Sequence, residues 1–202
     1  VTGPTRRDEL LALAATLFAE RGLRATTVRD IADAAGILSG SLYHHFDSKE
    51  SIVDEILRGF LDDLFGRYRE IVEAGLNPRD TLAALVVASF AAIDTEHAAV
   101  AIYQAEARRL QDSPRFGYIA QPNTEFRELW LGVLRAGVTD GSFRADADVE
   151  LAYRFLRDTV WVAVRWYRPG GPLTAESVAK QYLSIVLDGL ADPGAAPPGN
   201  KE

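Results

Sequence analysis

Cysteine is absent from this chain of 202 residues. Neither a disulfide framework nor a cysteine-ligated metal site is available to it. No run of eighteen apolar residues occurs, and the first residues carry no signal-peptide core. The expectation is a soluble, cytosolic protein that does not enter the membrane. Strand signals are nearly missing, and no internal repeat is visible. Histidine is scarce. His44 and His45 are adjacent, and neighbours on a helix point about 100° apart, so they do not readily share a metal. The third, His97, stands far from them, and no carboxylate spacing completes a site. No metal and no resident cofactor are expected. Basic charge is also short: the formal net charge is −7. Residues 1–50 hold six Lys or Arg against seven Asp or Glu, a net of −1, which leaves −6 for the rest. Composition alone leans away from nucleic acid, unless cations are sorted onto one face.

What is present is helical periodicity over enough chain for one large or two small domains. Thr5 can cap a helix from about Arg7 to Arg21, ended by Gly22. A long helix opens at Ser48 and runs to about Ala74, with Gly75 and Pro78 beyond it. Further helices fit roughly 79–95, 97–111, 115–137, 146–168 and 174–190, and Arg168-Pro169-Gly170-Gly171-Pro172 is the clearest break. The fold expected is all-α. An amino-terminal domain (1–50) is followed by a larger helical domain (51–191) and a Pro-, Gly- and Ala-rich tail (192–202) that reads as disordered.

The most informative stretch is TTVRDIADAAGILSGSLYHHFDSKE, residues 26–50. Thr27 suits the N-cap of a short helix whose stripe is Val28, Ile31, Ala32 and Ala35. Gly36 closes it, Ser39 can cap a second short helix, and Leu42 and Phe46 point inward. A short helix, a glycine turn and a second short helix make a helix-turn-helix, whose second helix enters the DNA major groove. The candidate DNA contacts are Thr27 at a helix start, Ser39, Gly40 and Ser41 at the head of the second helix, and Tyr43, His44 and Lys49. Gly40 lets the backbone approach closely, Tyr43 and His44 offer hydrogen bonds, and Lys49 is a point charge for phosphate.

A second constellation lies between Val149 and Arg168. On a continuous helix, Arg154, Arg157, Trp161, Arg165 and Arg168 fall within roughly 80° of one another, and the other sides are largely apolar. The plain reading is a solvated edge, with Asp158 pairing Arg154. A tryptophan inside that stripe is less expected. Guanidinium forks bind phosphates and an indole stacks on a purine, so the group suits a nucleotide-like anion such as the coenzyme A part of a thioester. Tyr103, Gln104 and Trp130 are candidate lining residues of an apolar pocket with a few polar anchors. On the last helix, Val178, Tyr182, Ile185 and Val186 recur at helical spacing.

Residues 5–60 closely resemble the DNA-binding domain of the TetR family of bacterial repressors. LLALAATLFAERG, TTVRDIADAAGI and SLYHHFDSKE carry the resemblance. It extends through IYQAEARRL, YRFLRDTVWVAVRWYRPGGPLT and QYLSIVLDGL. These are similar to the KstR-type steroid-catabolism repressors of actinobacteria, particularly the second kind, which governs breakdown of the last two sterol rings. The resemblance implies a homodimer on double-stranded operator DNA, with the last two helices forming a four-helix bundle across a twofold axis. It also implies a small-molecule effector, a steroid-ring intermediate carried as a coenzyme A thioester and bound among the middle helices. A repressor of an efflux system answering to a hydrophobic drug is the nearer rival, but a neutral drug has no need of the arginines. Against an acyl-CoA-processing enzyme, there is no cysteine and no Ser-His-acid spacing stands out. A nucleoid protein would be more basic.

Overall fold

The computed structural model describes residue 3 and residues 5–189, without the side chains at 120–123. The tail expected to be disordered lies outside the described residues. Nine α-helices and two 3-10 segments make up the regular structure among the described residues: α1 (Arg6–Arg21), α2 (Val28–Ala34), α3 (Ser39–Leu42), α4 (Lys49–Glu73), α5 (Pro78–Thr95), α6 (His97–Leu110), α7 (Ala120–Asp140), α8 (Val149–Trp161) and α9 (Ala175–Asp188). The all-α expectation holds. No single helix there is long and apolar enough to cross a membrane.

Local chemistry sets most boundaries. Thr5, Thr27, Ser48 and Thr174 each build a reciprocal capping box with the residue three positions on. Such a box satisfies two backbone donors that the helix itself leaves unpaired. Asn77 and Asp148 cap α5 and α8 through their side chains. Between α2 and α3 the chain reverses at Gly36, whose φ of 67° is open to glycine and strained for most other residues.

Two of the expected helices are not continuous. The stretch read as 115–137 begins with a 3-10 segment, Pro114–Ile119, and becomes α-helical only at Ala120. The stretch read as 146–168 stops being α-helical at Trp161, and a 3-10 segment, Val162–Arg165, follows. There the amide of Trp166 donates to the Ala163 carbonyl, a tighter winding that turns Ala163, Val164 and Tyr167 inward. The Tyr167 hydroxyl then donates to Asp94 of α5 at 2.6 Å and pins the end of the segment. A stripe drawn on a straight helix through Arg168 therefore does not exist beyond Trp161.

The side chains pack into two cores that meet along α4. The first joins Leu10, Leu17 and Phe18 of α1, Ile31, Leu42 and Phe46 of the helix-turn-helix, and Ile52, Val53 and Leu57 of α4. It also takes in Ile102 and Leu110 of α6 and Phe116 and Ile119 of the first 3-10 segment. The second core joins the rest of α4 to α5, α7, α8 and α9. The amino-terminal unit thus does not close on residues 1–50; α6 and the 3-10 segment complete its core. Phe116 is 2 % exposed. Phe116→Ala should therefore cost about 3–5 kcal/mol and loosen the helix-turn-helix some 70 residues away in sequence. Denaturant unfolding followed by the fluorescence of the carboxy-terminal tryptophans and by helix content would show it. An unchanged midpoint would separate the two halves again.

Candidate functional site

The helix-turn-helix presents a mixed face. Tyr43 is 55 % exposed and Leu38 80 %. Gly40 and His44 are exposed, while Ser39 and Ser41 are half-buried. Leu42 and Phe46 anchor the other side, as their spacing predicts, and Arg7 holds the end of the motif by lying over the Phe46 ring at 4.5 Å and pairing with Glu55. Three details differ from the sequence reading. Ser39 is the first residue of α3 and not its cap; Leu38 holds the cap position and makes no side-chain bond. His44 lies past the end of α3, in a turn where its amide donates to the Ser41 carbonyl at 3.2 Å. The Thr27 hydroxyl is occupied by its own capping box, with the Asp30 carboxylate 2.6 Å away, so the start of α2 already carries a negative charge. That arrangement speaks against a phosphate there.

Lys49 has a role the sequence did not suggest. Its Nζ donates to the backbone carbonyls of Leu23 at 2.9 Å and Thr26 at 3.0 Å. The ammonium ties the first turn of α4 to the α1–α2 connection, where carbonyls lack helical partners, and two of its three protons are committed there. Its expected role as a point charge on phosphate is left with one proton. Lys49→Gln should cost about 1.5–3 kcal/mol of stability, the scale of hydrogen bonds from a charged donor. The salt dependence of DNA binding should keep its slope. A shallower slope with an unchanged unfolding midpoint would return Lys49 to the phosphate backbone.

The second site is a cavity of about 740 Å³ bounded by α4, α6, α7 and α8. This lies within the range of small-molecule sites. Phe60, Leu64 and Phe65 of α4 form one wall, Phe126 of α7 another, and Tyr153, Arg157 and Trp161 of α8 a third. Tyr103 and Gln104 of α6 also line it. Trp161 is 7 % exposed and packs edge-on to Phe60 at 6.4 Å between centroids. It belongs to the core as well as to the cavity wall, and not to a solvated stripe. Arg157 is partly exposed at the rim. Its Nε donates to Asp158 at 2.7 Å, and its guanidinium carbon lies 5.6 Å from the Tyr153 ring centroid. Asp158 therefore pairs with Arg157 rather than with Arg154, and this hydrogen bond, opposed in part by desolvation, holds the Arg157 pKa above its ordinary value.

The other candidates divide. Arg154 is exposed and does not line the cavity. Arg165 shares a smaller recess of about 230 Å³ with Arg157 and Trp161. Trp130 is fully buried between Tyr68 and Phe126 and does not reach the cavity; its indole Nε1 has no hydrogen-bond partner among the described residues. Sequence reasoning missed Phe60, Leu64 and Phe65 of α4, and Arg108 and Arg127 on the rim. Only the three-dimensional meeting of α4 with α8 distinguishes a core face from a cavity wall.

On the last helix, Val178 and Tyr182 are half-buried against their own domain, and Tyr182 shares a hydrogen bond with Thr159 at 2.7 Å. Ile185 and Val186 are exposed and share a recess with exposed Leu151 and Phe155 of α8; Val162 and Trp166 are exposed farther along the chain. The recess is a second cavity of about 740 Å³, between α7, α8 and α9.

Comparison with known proteins matches both halves of the chain. Residues 10–56 match the family described as bacterial regulatory proteins, tetR family, and residues 75–190 match the tetracyclin repressor-like C-terminal domain. The chain belongs to the TetR family. It is 77 % identical over 188 residues to the HTH-type transcriptional repressor KstR2 of Rhodococcus jostii, covering 93 % of this chain and 92 % of that one. The solved structure of the ketosteroid transcriptional regulator KstR2 of Mycobacterium tuberculosis superposes with a TM-score of 0.91 at 63 % identity, over 95 % of this chain and 97 % of that one. The fold also matches AibR, solved in complex with isovaleryl coenzyme A and operator DNA, with a TM-score of 0.78 at 20 % identity, over 91 % and 98 % of the two chains. The protein is accordingly a TetR-family transcriptional repressor similar to KstR2, and not an enzyme.

Proposed function

We propose that this repressor controls ketosteroid catabolism, in keeping with its Mycobacterium tuberculosis relative being a ketosteroid transcriptional regulator, and that a coenzyme A thioester of a steroid-ring acid releases it from its operator. It would act in the cytoplasm as a homodimer, with one α3 in each of two successive major-groove half-sites. The observation that carries the reading is the composition of the cavity wall. Phe60, Phe126 and Trp161 supply an apolar surface for a fused-ring acyl group, and Arg157 stands at the rim where a phosphate would leave it. Arg165, in the adjoining recess, extends the cationic path. That AibR, a protein of the same fold, is solved with isovaleryl coenzyme A supports an acyl-CoA as the class of ligand.

The coupling follows from α4. Its first turns carry Ile52 and Leu57 into the DNA-binding core, and Phe60 and Leu64, within two turns of Leu57, line the cavity. A ligand that fits best with α4 displaced stabilises a dimer whose recognition helices no longer match the half-site spacing. Calorimetry on the protein without DNA tests the ligand class. A fused-ring acyl-CoA should bind at least about tenfold more tightly than coenzyme A alone or the free acid, because each lacks one half of the contacts. Equal binding of the free acid and the thioester would remove the arginines from the site.

A further inference from the structure

We infer that Leu38 reads a thymine methyl group in the major groove, and that the start of α3 sacrifices helix stability for that contact. The inference rests on the DNA-binding reading above and adds a residue that the sequence did not single out. Two local anomalies meet at this point of the fold.

The first is the missing cap. Thr5, Thr27, Ser48, Asn77, Asp148 and Thr174 each close the start of their helix through a side chain. The starts of α6 and α7 follow directly on preceding helical segments. Among the described helices, α3 alone leaves a loop with no capping side chain, because leucine stands where serine, threonine, aspartate or asparagine belongs. Nor does Leu38 gain anything by burial. At 80 % it is the most exposed large apolar side chain among the described residues, while its neighbour Ile37 packs against the first core. The second anomaly is Gly40. Its φ is not positive, and a Cβ added to it would meet no atom within 4 Å. Nothing inside the protein requires glycine there, and glycine weakens a helix relative to alanine. Two positions in three therefore give up local stability, and both face outward beside Tyr43. Local rules broken together on one exposed face are the expected mark of a functional surface.

The chemistry of the groove narrows what Leu38 contacts. Phosphates and most base-edge groups are polar and gain nothing from an isobutyl side chain. The apolar feature that the major groove presents is the thymine C5 methyl, and the minor groove presents none. With no Cβ at position 40, the backbone of α3 can sit close enough for a short side chain at position 38 to reach it.

The test uses full-length protein and a duplex that the wild type selects from a random library. Each thymine is replaced in turn by deoxyuridine, which removes one methyl and leaves the hydrogen-bonding edge intact. The wild type should lose about fourfold in affinity at one thymine of a half-site, the effect of one buried methyl. Leu38→Ser should bind the thymine and deoxyuridine duplexes alike and unfold at the same or a higher temperature, since serine restores the cap. Leu38→Met, still apolar, should keep the discrimination. Leu38→Ser that discriminates as the wild type does would overturn the inference, and so would a lowered unfolding temperature, which would show that Leu38 packs within the protein. A wild type that selects no duplex would instead bring down the DNA-binding reading, and this inference with it.

Discussion

Phe155→Asp is expected to turn the protein into a monomer and to remove operator binding with it. Phe155 is 63 % exposed, and with exposed Leu151 it shares the lining of one recess with Ile185 and Val186 of α9. A contiguous apolar face on two neighbouring helices marks an interface. A twofold contact presents every residue twice, so the substitution places two unpaired carboxylates in one apolar surface. Stranding a single buried charge costs about 3–5 kcal/mol, which, doubled, exceeds what an ordinary dimer can lose. Ile185→Asp should act in the same direction. Val178→Asp should not, because Val178 packs on its own domain and a carboxylate there would unfold the subunit. Sedimentation velocity distinguishes the outcomes. A normal dimer for both Phe155→Asp and Ile185→Asp would move the interface off α8 and α9.

Arg157→Ala should weaken the response to an acyl-CoA by about ten- to a hundredfold, the scale of a charge-assisted hydrogen bond to phosphate. Affinity for the operator without ligand should change little, because Arg157 stands at the cavity rim and outside the first core. The expected phenotype is a repressor that holds DNA and fails to let go. Trp161→Leu carries a second effect that its burial adds. The indole packs against Phe60 and Phe126, so its loss leaves a void and lowers stability as well as ligand affinity. The pair is compared by the acyl-CoA concentration needed to release operator DNA, with unfolding midpoints measured alongside. Unchanged release in both variants would return Arg157 to a plain surface ion pair with Asp158.

The parts legible in the sequence were those written in short-range chemistry. Caps at Thr5 and Thr27, the start at Ser48 and the stop at Gly36 depend on residues three or four apart, and they mark helix ends within a residue or so. The helix-turn-helix was legible for the same reason. What was not legible depended on contacts across the fold. Trp161 has the spacing of an arginine stripe, yet Phe60 lies over it and makes it core. Lys49 follows the motif as a phosphate ligand would, yet the carbonyls of Leu23 and Thr26, some twenty-five residues earlier, take two of its three protons. The 3-10 segment after Trp161 is set in part by Tyr167 reaching Asp94 of α5, which no local pattern announces. Phe116 reads as the first turn of an ordinary helix and serves instead to complete the DNA-binding core.

Under the proposed function, one cavity, walled by α4 and edged by Arg157, converts the presence of a steroid-ring acyl-CoA into loss of DNA. The most direct measurement titrates operator-bound protein with a fused-ring acyl-CoA, with the free acid, with coenzyme A and with a neutral hydrophobic drug, following the fraction of DNA bound by fluorescence anisotropy. The account predicts complete release by the thioester at saturation and retained binding with the other three. A complex that stays intact at saturating thioester, or that the neutral drug releases equally well, would contradict it.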